Sequence, residues 1–325
     1  MTSPIDTRNT DFSRSKTDQA SPTKIRVTST FYPMVDYDSK EWLRYILSFQ
    51  KGDTARKLAP VLLAVAVYCG GVAYVVIEFV HPGPDSDLKN IAIMHSLLGF
   101  VISTLLVFRT NTAYDRWWEG RKAWCSLTNN SRNLALKLAH ILGPDDVDSR
   151  VYFRSMIPNY AFALKNHLRG DFDATDLTAC PGFDPASLKP TEHVPNQVAM
   201  RLFSKMDELY QAGTFRPEHL LVLNGEFSSF TEICGICERI HSTPIPYSYS
   251  SFLKKFVAIY CLTLPLGYVL LLHYWVIPVV VIVFYVLASL ELIAEEIEDP
   301  FGTDANDLPT ERMADGIRKA VGELL

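Results

Sequence analysis

Charged residues are missing from three long stretches of this 325-residue chain. No Asp, Glu, Lys or Arg occurs in 58–77, in 91–108 or in 256–290. A helix needs about 20 mostly apolar residues to cross a hydrocarbon core of roughly 30 Å. Each of the first two stretches therefore suits one membrane-spanning helix, and the third is long enough for two. The alternative is a buried helical hairpin of a soluble protein, whose apolar runs are typically shorter.

Features that identify several other classes of protein are also missing. The sequence contains no GxGxxG, GxxxxGK[S/T], HExxH or GxSxG motif, and no set of nucleophile, base and metal ligands stands out, so we predict that it is not an enzyme. The 31 basic and 36 acidic residues nearly balance, which gives no general case for nucleic-acid binding. Cys234 and Cys237 have no second pair at zinc spacing, so core packing explains them better than metal binding.

The longest charge-free stretch contains His273, Tyr274 and Trp275, followed by Pro278. Aromatic residues are enriched at membrane interfaces, so this sequence predicts a turn between two spans. The chain is therefore predicted to cross the membrane four times, at about 58–80, 91–108, 256–273 and 275–293.

Basic residues flank span one on its N-terminal side and span two on its C-terminal side, whereas residues 81–90 contain only Lys89. The positive-inside rule then predicts that both termini and residues 109–255 are cytosolic. Nothing in the sequence indicates which cellular membrane holds the protein.

The rest of the chain divides into a tail, a helical region and an acidic segment. Residues 1–30 are rich in Ser, Thr, Asp and Lys and are predicted to be disordered, and 31–325 are predicted to form one domain. Apolar residues at three-to-four spacing predict helices in 109–255, interrupted by a proline-containing loop near 171–195. The predicted fold is an all-α integral membrane protein with a cytosolic helical body and an acidic C-terminal segment, 294–325.

Span two carries residues that recur on one face of a helix. This face contains Phe100, Thr104 and Phe108 and continues past the predicted membrane edge to Asn111, Thr112, Asp115 and Glu119. On spacing alone, a helix-packing seam is the simpler interpretation. The functional alternative is a pore wall in which an apolar constriction opens into a polar vestibule.

An acidic segment follows span four, from Glu291 to Asp307. Oxygen ligands around Pro300 and Gly302 are of the type that Ca²⁺ prefers, although their spacing is not that of an EF-hand. A solvated acidic helix end followed by a turn explains the same composition.

Four motifs together indicate a family. They are RTNTAYDRWWEGR at 109–121, CERI with TPIPY at 237–247, EEIEDPFGTD at 295–304 and NDLP at 306–309. In these motifs and in the spacing of its spans, the sequence resembles the bestrophin family, in its microbial and fungal branch, over residues 35–325.

The resemblance implies an all-helical homopentamer with one central pore. Span two of each subunit would line a narrow neck with Phe100, Thr104 and Phe108, where Thr104 replaces the larger apolar side chain usual in the family. A second, cytosolic constriction would fall near Glu218. The five Glu218 carboxylates of a pentamer would form a ring there that favours cations.

The resemblance also bears on Ca²⁺. Animal bestrophins close a Ca²⁺ clasp after the fourth span, and Asp299, Asp304 and Asp307 lie at matching positions. Ala305 and Asn306 interrupt the acidic run of the animal proteins. Ca²⁺ is therefore a candidate cofactor, and no other cofactor is predicted.

The leading hypothesis is passive conduction of small anions, chloride first. Phenyl edges of Phe100 and Phe108 would offset part of the anion's lost hydration, and Thr104 would donate its hydroxyl. The partners would be other copies of the chain, the lipid bilayer and the permeant ions. A cation channel of the same architecture and a non-conducting membrane scaffold are the alternatives.

Overall fold

The computed structural model describes residues 53–81 and 88–325, which within those ranges form α-helices and no β-strand. The helices are α1, Asp53–Val75; α2, Leu88–Ile141; α3, Val147–Arg169; α4, Val194–Gln211; α5, Pro217–Ser242; α6, Tyr247–Leu272; α7, Val276–Glu298; and α8, Thr310–Leu324. The all-helical fold predicted from the sequence is confirmed. The predicted disordered tail, residues 1–30, lies outside the described residues.

The apolar helices α1, α6, α7 and the first part of α2 pack together in two adjoining cores. One core joins α1 and the π-helical turn Val76–Val80 that continues it to α6 and α7, through Val65, Cys69, Ala73, Val76, Leu264, Val269, Val276 and Val280. The other joins α2 to α6 through Ile102, Leu106, Leu253, Val257 and Cys261. These helices contain the four predicted spans, whose exact membrane boundaries stay a prediction.

The long apolar stretch near the C-terminus folds as two antiparallel helices. The most apolar 18-residue window of Tyr247–Glu298 has a mean hydropathy of 2.6, and a short 3-10 turn at His273–Trp275 divides the stretch into α6 and α7. The Lys254 ammonium near the start of α6 donates to both carboxylate oxygens of Glu295 near the end of α7, each at 2.9 Å. The predicted turn is therefore confirmed, and the stretch contains the two helices that the third and fourth predicted spans require.

Length and composition alone would also qualify α5 as a membrane helix. Its most apolar 18-residue window has a mean hydropathy of only 1.2, against 2.2 or more for the corresponding windows of the three other candidate stretches. The buried face of α5 includes Phe227 and Phe230, which pack in the same core as α3, α4 and the second half of α2. The Tyr160 hydroxyl of α3 donates to the Phe230 carbonyl oxygen at 2.7 Å. We therefore assign α5 to the helical body.

Helix α2 links the apolar helices to the body without a break. The sequence ends span two at Phe108, but the helix continues to Ile141 and contains 54 residues. At 1.5 Å per residue it is about 80 Å long. One element therefore contributes to both the apolar half and the body.

The body contains the largest core. Trp124 of α2, Phe153 and Tyr160 of α3 and Phe230 of α5 are fully or almost fully buried in it, and α8 closes it. Helix α3 begins where Asp146 accepts a hydrogen bond from the Ser149 N–H at 3.2 Å. The proline-containing loop predicted near 171–195 is confirmed, because only two short 3-10 turns interrupt it.

Four glutamates near the end of α7 face the starts of other helices. We call Glu291, Glu295, Glu296 and Glu298 the acidic end of α7. Lys57, in the second turn of α1, donates to the Glu296 Oε1 at 3.0 Å, and Glu298 Oε1 accepts from the Ile245 N–H at 2.6 Å. Glu291 and Glu296 are buried. The acidic end is therefore largely neutralised by the protein itself, unlike the solvated helix end that composition suggested.

Two glycines make room for close contacts of the segment after α7: Gly120 lets it pack on α2, and Gly302 lets it fold back on itself. A Cβ at Gly120 would lie 3.1 Å from the Phe301 ring and 3.2 Å from the Pro300 ring. A Cβ at Gly302 would lie 2.7 Å from the Asp307 Oδ2, closer than real contacts allow. Close packing therefore explains why glycines occur in the motifs at 109–121 and 295–304.

Asp307 is a buried carboxyl in this segment. Its Oδ2 accepts a hydrogen bond from the Asp304 N–H at 2.7 Å, and its Oδ1 has no hydrogen-bond partner among the described residues. Burial raises the pKa of Asp307 from 3.8 to about 7; the Asp304 N–H opposes this shift, and the charges of Asp304, Asp299 and Glu296 add to it.

Asp307→Asn should change how stability depends on pH. A carboxyl with a raised pKa binds its proton more tightly in the folded state, so its contribution to stability is lost as pH rises from about 4 to about 7. We expect the variant to be more stable than the wild type above pH 7, by roughly 2–4 kcal/mol, with the difference shrinking at lower pH. Unfolding temperatures between about pH 5 and pH 8, in detergent with a chelator, measure this.

Asp145→Asn is the matched control, because Asp145 is exposed in the turn between α2 and α3, outside the segment that contains Asp307. It should not reproduce the gain in stability above pH 7. Parallel wild-type and Asp307→Asn profiles over the whole range would contradict the assignment.

Candidate functional site

One face of α2 stays exposed along nearly its entire length. Phe100 and Phe108 are 72% and 62% exposed although both are large and apolar. We call this face the α2 stripe; its residues are Ile93, Leu97, Phe100, Thr104, Phe108, Asn111, Asp115, Trp118, Lys122, Asn129, Asn133, Leu136 and His140. The opposite face packs into the cores through residues such as Ile102, Leu106 and Trp124. The packing seam of α2 within the chain is therefore on the other side from the stripe.

The chemistry of the α2 stripe changes once. From Ile93 to Phe108 it is apolar except for Thr104, over about 22 Å at 1.5 Å per residue. From Asn111 onward it is mainly polar or charged. The three predicted neck residues and the predicted vestibule residues Asn111 and Asp115 thus share one exposed face, in the predicted order.

Hydroxyl groups on this part of α2 are satisfied within the helix. Thr104 Oγ1 donates to the Phe100 carbonyl oxygen at 3.0 Å, and Thr112 Oγ1 donates to the Phe108 carbonyl oxygen at 2.9 Å. A threonine hydroxyl has one proton, so in this rotamer Thr104 cannot donate to an ion as the sequence analysis expected. It presents a methyl group and oxygen lone pairs instead.

The carboxylate of Glu119 is paired rather than free. Its Oε1 lies 2.5 Å from Nη2 of Arg239, on α5, and both side chains are substantially exposed. Asp115, one turn earlier, is exposed and has no ion pair within the part of the chain that the structure describes. Of the two acidic vestibule candidates, therefore, Asp115 is the one without an ion pair among the described residues.

A buried arginine marks the point where the stripe changes character. Arg109 is 1% exposed, and its Nη2 lies 2.7 Å from Glu298 Oε2. Its Nε lies 3.6 Å from Glu291 Oε1, an ion-pair distance too long for a hydrogen bond. This role is not evident from the sequence alone, in which Arg109 resembles an ordinary basic flank of a span. The one feature that could have indicated the ion pair is that a basic residue after span two and acidic residues at the end of span four are predicted at the same edge of the membrane.

Arg116 joins the same junction through backbone carbonyl groups. Its Nε donates to the Glu298 oxygen at 3.0 Å, and its two terminal nitrogens donate to the oxygens of Ile240 and Thr243, each at 2.5 Å. Carbonyls at helix C-termini lack partners within the helix, so a guanidinium satisfies them well. Arg116 thereby holds α2 to the ends of α5 and α7.

Glu218 lies in the first turn of α5 and is exposed. Its neighbours Leu221 and Val222 are 80% and 51% exposed, which is unusual for apolar side chains of a helical body. A carboxylate is favourable at a helix N-terminus irrespective of any other role. Its assignment to a cytosolic constriction stays a prediction.

The three candidate Ca²⁺ ligands have separate partners. Asp299 Oδ1 lies 3.3 Å from His241 Nδ1, Asp304 Oδ1 lies 3.4 Å from Lys57 Nζ, and Asp307 accepts the Asp304 N–H. Their role in binding Ca²⁺ stays a prediction.

Comparisons with known proteins agree with one another. The model of the bacterial and fungal bestrophin family matches residues 34–323. A voltage-dependent anion channel-forming protein of Nostoc is 35% identical over 246 residues, which cover 72% of this chain and 80% of the relative. The voltage-dependent anion channel-forming protein YneE of Escherichia coli K12 is 30% identical over 285 residues, 87% of this chain and 91% of the relative.

Solved structures agree as well. A bacterial bestrophin homologue from Klebsiella pneumoniae, in a crystal structure of its D179A variant, superposes with a TM-score of 0.74 at 26% identity, covering 82% of this chain and 98% of that one. The match spans the apolar helices and the body, so the resemblance seen in the motifs is confirmed. The chain is a multi-pass membrane protein and belongs to the bacterial and fungal bestrophin family.

Proposed function

We propose that this protein is an anion channel in which five copies surround one pore and the α2 stripe of each copy forms the wall. Chloride is the leading permeant ion. The observation that carries the proposal is the exposed face of α2, which is apolar except for Thr104 up to Phe108 and mainly polar beyond it. The names of the relatives from Nostoc and E. coli point to the same ion class. Family membership favours a channel over an enzyme.

The neck would discriminate between ions by hydration. It carries no formal charge, so an ion entering it gives up water without a counter-charge in return. The edges of phenyl rings are electropositive and favour an anion over a cation. Phe100 and Phe108, two helical turns apart, would supply such edges at both ends of the neck, with the Thr104 methyl group between them.

The acidic residues along the proposed pathway do not all favour the same ion. Arg239 neutralises Glu119, which removes one of the carboxylates that would attract cations. Asp115 and Glu218 are exposed and favour the alternative, a cation channel of the same architecture. A non-conducting membrane scaffold is the third candidate.

The proposed orientation places both termini and the body in the cytosol. Lys57 of α1 and Lys254 of α6 pair with the acidic end of α7, so these three membrane-edge regions lie on one side. The basic residues that follow span two favour the cytosolic side for this edge.

The reversal potential of the purified protein in a planar bilayer under a KCl gradient tests the proposal. We expect a shift toward the chloride equilibrium potential. A shift toward the potassium equilibrium potential would favour the cation channel, and Glu218→Gln should then reduce that shift. Absence of current with and without Ca²⁺ would favour the scaffold.

Replacing both neck phenylalanines should weaken discrimination between ions. Phe100→Ala with Phe108→Ala removes the ring edges and widens the neck, so the chloride-to-potassium permeability ratio should fall by about two- to tenfold, as expected from ring interactions of roughly 0.5–1.5 kcal/mol. Reversal potentials measure the ratio. Thr104→Val is the matched control, because it removes only a hydroxyl that is already bonded within the helix. An unchanged ratio in the double variant would contradict the proposed neck.

Arg239→Gln should make the vestibule more favourable to cations. The change leaves the Glu119 carboxylate unpaired, and an exposed ion pair is worth roughly 0.2–1 kcal/mol, so we expect the permeability ratio to move toward potassium by about two- to fivefold. Adding Glu119→Gln should restore the wild-type ratio. If Arg239→Gln has no effect on the ratio, the Glu119 carboxylate does not face the ion pathway.

A further inference from the structure

Two histidines and a glutamate from three different elements meet in the helical body. His167 lies in the last turn of α3, His193 immediately precedes α4, and Glu238 lies near the end of α5. Oε1 of Glu238 lies 2.7 Å from Nε2 of His167 and 2.6 Å from Nε2 of His193. The two imidazole centroids are 4.3 Å apart. None of these residues belongs to the α2 stripe or to the acidic end of α7.

We propose that His167, His193 and Glu238 form a binding site for a transition-metal dication, with Zn²⁺ the best-matched ion. Two imidazole nitrogens and one carboxylate oxygen are a recognised donor set for zinc, with a fourth position left to water. Imidazole ligands select such metals over Ca²⁺ and Mg²⁺, which prefer oxygen donors only. Among the described residues, this is the one group of three such side chains whose ligand atoms all lie within 4.8 Å of one another.

Zinc binding would bring the three ligand atoms, which all lie within 4.8 Å of one another, to a common spacing. Zinc bonds to nitrogen and oxygen at roughly 2.0–2.2 Å, so ligand atoms at tetrahedral angles lie about 3.3 Å apart. The nitrogen-to-oxygen distances, 2.6 and 2.7 Å, would therefore open by about 0.6 Å. All three side chains are about one-third exposed, so an ion and its water ligand have access.

The charge at the site also suits a cation. Burial raises the pKa of Glu238, but hydrogen bonds from His193 and His167 outweigh burial, and the net pKa is below its usual value. The carboxylate is therefore ionised at neutral pH and would balance half of the charge of a dication.

Binding would change the proton position on His193. Its Nδ1 accepts the Asn196 N–H at 3.1 Å, so in the neutral ring the proton is on Nε2 and is donated to Glu238. When Nε2 binds a metal instead, that proton moves to Nδ1 through exchange with water, and the ring stays neutral. Nδ1 then no longer accepts from Asn196. Metal binding would therefore release the first turn of α4 from this cap while it ties α3, α4 and α5 together.

Zn²⁺ titration of the purified full chain in detergent tests the proposal. We expect saturable binding of one ion per chain and an unfolding temperature that rises by several degrees. His193→Asn removes a ligand yet supplies a good N-cap for α4. It and His167→Asn should each weaken binding by more than about tenfold, a loss typical even of changes outside the ligand shell.

Three further measurements separate this site from other metal binding. His140→Asn, an exposed histidine on α2, should bind as the wild type does. Excess Ca²⁺ should not displace Zn²⁺, which distinguishes this site from the predicted Ca²⁺ ligands. Co²⁺ should bind without a thiolate charge-transfer band, which excludes the free cysteines.

Hydrogen exchange supplies a readout that belongs to this geometry. Exchange of the Asn196 amide should quicken on Zn²⁺ addition while the rest of α4 is protected. No saturable binding, or binding that is unchanged in the His167→Asn and His193→Asn double variant, would overturn the proposal. None of these outcomes depends on whether the protein conducts ions.

Discussion

Four glutamates within two turns at the end of α7 would repel one another and resist burial. The surrounding helices are arranged so that they supply the basic groups and the N–H group that compensate these carboxylates. A buried carboxylate costs several kcal/mol unless a base or hydrogen-bond donor compensates it. Each compensating group comes from a different place: Lys57 at the start of α1, Arg109 in the middle of α2, and Lys254 with the Ile245 N–H at the start of α6. The need to pair these charges therefore brings four helices to one edge.

The orientation of α2 follows from the same junction. Arg109 and Arg116 lie on nearly the same side of the helix and bind groups at the ends of α5 and α7. This side is opposite the α2 stripe, so holding the two arginines also directs Phe100, Thr104 and Phe108 away from the rest of the chain. The rotation of the proposed pore wall thus depends on contacts made by other residues. Because α2 is one continuous helix, the body and the neck share that rotation.

The last residues of α5 make polar contacts with three different parts of the chain. Glu238 accepts hydrogen bonds from two histidines, Arg239 pairs with Glu119, and the carbonyl oxygens of Ile240 and Thr243 accept from Arg116. A shift of this helix end would therefore change contacts both in the body and with α2. The proposed metal site lies next to the ion pair that would set the charge of the vestibule.

The positions of the four apolar segments, the turn at His273–Trp275, the helices of the body and the family were all determined by the sequence. These features depend on local composition, on spacing within a helix and on contiguous motifs, which a linear reading contains. The order of neck and vestibule residues was also predictable, because a helical period places them on one face.

The pairing of charges was decided only by tertiary structure. Lys57 and Glu296 are separated by 239 positions, and Glu119 and Arg239 by 120, so no local pattern relates them. The meeting of His167, His193 and Glu238 likewise requires three separate elements to pack. The hydrogen bond of the Thr104 hydroxyl within its own helix depends on the rotamer of the side chain, and the residue type alone does not determine the rotamer. Which side chains are buried and which form ion pairs or hydrogen bonds depends on the surfaces that come together when the chain packs, and these are not determined by any local stretch of sequence.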